Sequence, residues 1–264
     1  VTGKNTKLHK IESIVSFIDL HDLIYLKQIN KENHKVSFKG RYSKNIDKIN
    51  TVTILLKLLD KKKFLNGKKF ELKIVKNIPQ ESGMGGGSMN AASLINFFIN
   101  KKILKLKKNE LIELTSQIGS DVILGINPAN TILSSNKKIT KFKKNIKYHT
   151  LVAKPSFGCS TKYVYSKVKL FSKSQFNFPK KKMFRAEYLK TLKNDLEKIA
   201  FKKHPNLKKI NSFLSTMPHN IFVRMSGSGS SIVAYFYSKK ACGYAYRQFK
   251  RKFTRHWCIE SKTI

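Results

Sequence analysis

Residues 79–88 read Pro-Gln-Glu-Ser-Gly-Met-Gly-Gly-Gly-Ser, with four glycines in five consecutive positions, 83–87. So dense a run of glycine costs too much backbone entropy to sit inside a helix or strand, and it lets the backbone approach a ligand closely. The flanks define the loop. Ahead of it, Phe70, Leu72 and Ile74 alternate with Glu71 and Lys73, the period of a half-buried strand. Behind it, Ala91, Leu94, Ile95 and Phe98 fall on one face of a helix. Strand, glycine loop and helix N-terminus in that order present unpaired N–H groups and a positive dipole end, which together receive phosphate. No Gly-Lys-Ser/Thr follows, so this is not a Walker loop, and the spacing does not fit the dinucleotide fingerprint. A flexible turn is the alternative, and Gly-Gly-Gly-Ser-x-x-Ala-Ala opening an amphipathic helix argues against it.

The remaining pattern is mixed α+β. Residues 13–29 are strand-forming with a turn at His21-Asp22, and Val36 and Phe38 continue the alternation. Val52, Leu55, Leu56 and Leu59 recur at helical spacing, and a further helix is expected between Asn109 as N-cap and Gly119 past its end. The second half begins with a strand at 150–154 and closes with strand, glycine loop, strand, helix and strand over 221–264. Residues 172–182, with Pro179 and three successive lysines, read as an exposed loop. Two lobes with a cleft between them follow from this order.

With 54 Lys and Arg against 15 Asp and Glu, the chain carries +39, a balance that raises nucleic acid as a partner. The lysines are scattered through nearly every segment, and no basic stripe is interleaved with aromatic residues, so a solvated surface that favours an anionic small molecule is preferred. No apolar run reaches the roughly 20 residues of a membrane span. Three widely spaced cysteines, with no C-x-x-C pair, fit free thiols in a reducing cytoplasm.

The loop P-x-x-x-G-(L/M)-G-G-G-S-x-x-A-A resembles the ATP-binding signature of the GHMP kinases. Gly119-Ser120-Asp121-Val122 is similar to the Gly-Ser-Asp-Val of the diphosphocytidyl-methylerythritol kinases in that superfamily, and Met225-Ser226-Gly227-Ser228-Gly229-Ser230 resembles their C-terminal glycine motif. Gly3-Lys4 with Leu8-His9-Lys10-Ile11, residues 154–161 (K-P-S-F-G-C-S-T) and Asn194-Asp195-Leu196-Glu197 extend the likeness over nearly the whole chain.

The resemblance implies an α+β, two-lobed GHMP kinase fold, with a ribosomal protein S5 domain 2-like N-terminal lobe and a ferredoxin-like α/β C-terminal lobe. It implies an ATP-binding domain over 1–147 and a second domain over 148–264. It also implies ATP and Mg²⁺ as cofactors and 4-diphosphocytidyl-2-C-methyl-D-erythritol as the small-molecule substrate, in a cytoplasmic monomer or weak homodimer.

The same resemblance assigns nucleotide contacts to Pro79, Gly83, Met84, Gly85, Gly86, Gly87, Ser88, Asn90, Gly227, Ser228 and Gly229, and a magnesium contact to Ser88. It makes Asp121 the base for the acceptor hydroxyl and a substrate contact, with His9 and Tyr165 at the pyrimidine. Read alone, an Asp after a Gly is more often a helix cap, His9 is equally a surface histidine, and Tyr165 at least as readily a core or surface tyrosine. Another GHMP kinase, for homoserine or mevalonate, and a non-catalytic nucleic-acid-binding relative are the alternatives.

The sequence departs from the family at several points. The family's opening strand, with its Ala-Lys-(Ile/Val)-Asn-Leu and catalytic lysine, has no counterpart, and the expectation is that such a strand precedes Val1. Leu8 stands for a tyrosine that would stack on cytosine. Ile123-Leu124-Gly125 and Pro128-Ala129-Asn130-Thr131 replace Pro-Phe-Phe and Gly-Gly-Thr-Ala.

Overall fold

A computed structural model describes residues 1–4, 9–136, 138–143 and 147–264. The chain forms two compact units, one of residues 20–80 and 85–128, the other of residues 1–19, 81–84 and 129–264.

In the first unit the strand Lys69–Val75 is the centre of a three-stranded sheet, antiparallel to Leu23–Ile29 and parallel to Lys35–Lys39. The parallel pair needs a crossover, which helix Thr51–Lys61 supplies between them. Asn50 starts that helix by accepting the N–H groups of Val52 and Thr53. Helices Gly86–Asn100 and Lys108–Ile118 join it, so that Leu55, Leu59, Ile95, Phe98 and Leu114 meet Phe70, Leu72 and Ile74 in one buried cluster. The third helix begins a residue or two ahead of the Asn109 cap expected from the sequence. Its start at Lys107 is fixed because Glu110 reaches back to the Lys107 N–H at 2.7 Å, a bond the sequence pattern did not single out.

The second unit is built on a four-stranded antiparallel sheet in the spatial order Asn220–Met225, Ile232–Phe236, His149–Lys154, Trp257–Lys262. With helices Pro205–Ser215 and Lys239–Lys252 placed as crossovers, this is the split β-α-β of ferredoxin-like folds. Ile232, Ala234 and Phe236 are buried against Leu207, Ile210, Leu214, Ala245 and Phe249. A smaller antiparallel sheet pairs Ser13–Val15 with Asn130–Leu133, and that strand with Ile139–Phe142. The strand-forming stretch 13–29 is thus two strands. Asp19 ends the first region by accepting from the Ser261 hydroxyl and the Lys262 N–H, within the same unit.

The loop 172–182 is largely exposed, yet Phe176 is buried beside Met183 and Phe184 and anchors it. No helix among the described residues is long and apolar enough to cross a membrane. Cys159, Cys242 and Cys258 are free and buried. Burial pushes the Cys242 thiol up to about 12 and the Cys258 thiol up to about 11, so the nucleophilic thiolate is scarce at neutral pH. Labelling with a thiol-reactive disulfide reagent should therefore be slow in buffer and reach all three cysteines only in denaturant. Rapid modification of the folded chain would contradict this packing.

Candidate active site

The glycine loop hands the chain from one unit to the other, and each end is built differently. In the first unit, Gly85 is the N-cap of helix Gly86–Asn100 at φ 66°, a left-handed conformation that glycine adopts without penalty. No side chain caps this helix, and the first intrahelical bond is Met89 N–H to Gly85 O at 2.9 Å. The N–H groups of Gly86, Gly87 and Ser88 consequently donate to no acceptor among the described residues. A Cβ built on Gly85 would meet nothing within 4 Å, so the backbone there lies open. These features fit the phosphate of a nucleotide.

Beneath the loop lies a polar cluster that sequence reasoning passed over as a turn. The fully buried carboxylate of Asp22 takes the ammonium of Lys76, the N–H groups of Asn77 and Ile78 at 2.8 and 2.9 Å, and the amide of Asn90 at 3.0 Å. Asn90, 6% exposed, donates one amide N–H to Asp22 and so ties the first turn of the glycine helix to the carboxylate. Lys76 lies 3.5 Å from where a Cβ on Gly86 would stand. The clue in the sequence was a lysine immediately before Asn-Ile-Pro and an acid in a chain so poor in acids. Pro79 is buried.

The same unit carries Asp121. Gly119 closes helix Lys108–Ile118, and a Cβ there would lie 3.9 Å from the Ser88 hydroxyl, so the Gly-Ser-Asp-Val turn abuts the start of the glycine helix. Asp121 precedes the short 3-10 turn Val122–Gly125 but makes no side-chain cap bond; its exposed carboxylate accepts only the Ser120 hydroxyl, at 3.1 Å, among the described residues. A capping role does not hold this side chain. The Ser88 hydroxyl takes no partner among the described residues either, and no group of three or more acidic, His or Cys side chains there could hold a metal. That donor set fits a magnesium ion carried largely by nucleotide phosphates rather than by a protein cage.

In the second unit, Glu81–Met84 is stapled to the C-terminal glycine motif. Glu81 O accepts the Ser230 and Cys159 N–H groups, Ser82 O accepts Ser231 N–H at 3.0 Å, and the Ser226 hydroxyl donates to Gly83 O at 2.8 Å. Thr161 and Ser228 share a hydroxyl bond of 2.9 Å. Lys154 is buried and donates to Pro155 O and Phe157 O, and burial lowers its pKa.

Space at the glycines predicts a gradient of effects. A Cβ on Gly83 would stand 2.2 Å from Ser226 O and 2.8 Å from Gly229 O, both backbone, at φ 69°. Gly83→Ala adds this clash to the left-handed strain, and should cost about 2–5 kcal/mol and displace the motif. Gly85→Ala has room and should cost only about 1–2 kcal/mol for its left-handed backbone while raising KM for ATP. Urea melts with steady-state kinetics check both; equal stability losses would refute the distinction.

His9 and Tyr165 come together, with ring centroids 5.3 Å apart and planes 43° apart. Leu8 lies outside the described residues, as does the Lys7 side of that turn.

Comparison with known proteins adds a sharper constraint. The GHMP kinases N terminal domain matches residues 50–134. A 4-diphosphocytidyl-2-C-methyl-D-erythritol kinase of Pelagibacter ubique (strain HTCC1062) is 66% identical over 264 residues, covering 100% of this chain and 94% of that protein. The chain belongs to the 4-diphosphocytidyl-2-C-methyl-D-erythritol kinase family. A crystal structure of 4-(cytidine 5'-diphospho)-2C-methyl-D-erythritol kinase superposes with a TM-score of 0.78 at 18% identity, over 99% of this chain and 93% of that one. The homoserine kinase of Cytophaga hutchinsonii ATCC 33406 follows at 0.70 and 15%, over 94% and 88%. At such identities these structures establish the GHMP kinase fold, which kinases for different acceptors share. Membership of the diphosphocytidyl-methylerythritol kinase family therefore rests on the sequence identity.

Proposed function

We propose that this chain transfers the γ-phosphoryl of ATP to the 2-hydroxyl of 4-diphosphocytidyl-2-C-methyl-D-erythritol, giving the 2-phosphate and ADP in the non-mevalonate isoprenoid precursor pathway. The observation that carries this reading is 66% identity along the entire chain to a relative bearing that name. The residue roles are those the family resemblance implies, and the local geometry supports several of them. Asp121, exposed and free of capping duty, accepts the proton of the 2-hydroxyl as that oxygen bonds to phosphorus and ADP leaves. The unpaired N–H groups of residues 86–88 and the helix dipole receive charge on the phosphoryl oxygens. The resemblance assigns further nucleotide contacts to Gly227, Ser228 and Gly229, and to Gly83 and Met84.

When Mg²⁺ is bound with the nucleotide it neutralises phosphate charge, and the Ser88 hydroxyl would hold it. His9 hydrogen-bonds the cytosine edge, and Tyr165, beside it, offers a face to the pyrimidine.

Purified protein given Mg-ATP and 4-diphosphocytidyl-2-C-methyl-D-erythritol should release ADP only when the acceptor is present, and cytidine nucleotides should compete. Turnover with homoserine or mevalonate in its place, unaffected by cytidine nucleotides, would overturn the substrate assignment.

A further inference from the structure

The turn at 226–229 owes its shape to a residue outside the glycine motif. Asn194 places its side-chain amide on two carbonyls of that motif, Met225 O at 2.9 Å and Gly227 O at 2.7 Å. Its own oxygen accepts the Leu196 N–H at 3.0 Å, which fixes the amide's orientation. Glu197, three residues on, accepts the Met225 N–H at 2.7 Å. Gly229 N–H closes the turn on Ser226 O at 2.9 Å.

The peptide between Gly227 and Ser228 is trans, so its C=O and N–H point in opposite directions. With the carbonyl turned onto Asn194, the Ser228 N–H is turned away from it, and it finds no acceptor among the described residues although Ser228 is only 7% exposed. A donor so nearly buried and left unpaired is costly unless a ligand completes it. Gly227 N–H is likewise without an acceptor among the described residues, and its left-handed φ of 52° is one found in the successive-amide turns that bind anions.

We propose that Asn194 is a positioning residue for phosphoryl transfer: by holding Gly227 O it presents the Ser228 and Gly227 amides to a nucleotide phosphate. This rests on the reading of residues 227–229 as nucleotide contacts. Asn194 itself touches no phosphate. Its neighbours in the Asn-Asp-Leu-Glu segment contribute unequally, Glu197 bracing the strand end and Asp195 accepting from the Ser172 hydroxyl away from the motif.

The test uses the whole chain and two variants. Asn194→Ala removes the amide and its cap; Asn194→Asp keeps an acceptor for Leu196 N–H, but replaces the donor with a carboxylate that repels the Met225 and Gly227 carbonyls. ADP affinity by calorimetry and steady-state kinetics for both substrates are measured, with thermal melts alongside. Both variants should lose about tenfold to a hundredfold in ADP affinity and in kcat/KM for ATP, a loss usual for groups that orient a primary contact, with KM for the acceptor unchanged. Should Asn194→Ala fail to fold, Asn194→Asp carries the same expectation. Wild-type ADP affinity in a folded variant would overturn the proposal, as would a fall in active fraction with both KM values unchanged. A wild-type protein that binds ADP but does not phosphorylate the acceptor would sink the substrate assignment, while the ADP affinities still decide the role of Asn194.

Discussion

Asp121→Asn should reduce kcat by about 10²–10⁴-fold while leaving ADP affinity and the melting curve as they are. The replacement keeps the shape of the side chain and an oxygen for the Ser120 hydroxyl, and removes the negative charge and with it the proton acceptor. Because the carboxylate is exposed and caps no helix, no stability loss is expected to confuse the kinetics. Single-turnover transfer from ATP to the acceptor is the measurement. A variant within about tenfold of wild type would remove Asp121 as the base, since positioned proton transfer is worth more than that.

The second large effect lies under the glycine loop. Asp22→Ala leaves Lys76, 7% exposed at its side chain, as a buried cation without its partner, and strips an acceptor from two backbone N–H groups and Asn90. The expected loss is about 3–5 kcal/mol by urea unfolding, the cost of breaking a buried pair from one side. Asp22→Leu combined with Lys76→Met should be less destabilised than Asp22→Ala, because no charge is then stranded. KM for ATP should nevertheless rise in both proteins, since the cluster carries the backbone that leads into Gly86. A single variant within about 1 kcal/mol of wild type would show that water reaches Lys76 and that the pair bears little of the loop.

Much of this was legible in the residue order. Apolar period two at 70–74 and period near 3.6 at 52–59 and 91–98 identified a strand and two helices where they stand, because a half-buried element writes its period into the sequence. The glycine run fell where backbone must approach a ligand. Asp19 and Asp22 were not legible: each is fixed by partners from 54 to 243 residues away, and local pattern carries no record of such pairing. The N-cap of the third helix was missed for a smaller reason, a Glu110 bond that competes with the preference for Asn.

The sequence by itself determined the family, the α+β class and the three glycine-containing motifs, since identity and local propensity are properties of residue order. Only the tertiary structure decided what those motifs rest on. Glu81–Met84 is hydrogen-bonded to residues 159 and 226–231, Asn90 faces a carboxylate rather than open space, and Asn194 turns a peptide of a motif more than thirty positions further along the chain. The reason is physical: where a buried hydrogen bond finds its partner depends on which distant backbone groups the packed core brings within about 3 Å, and no local pattern fixes that.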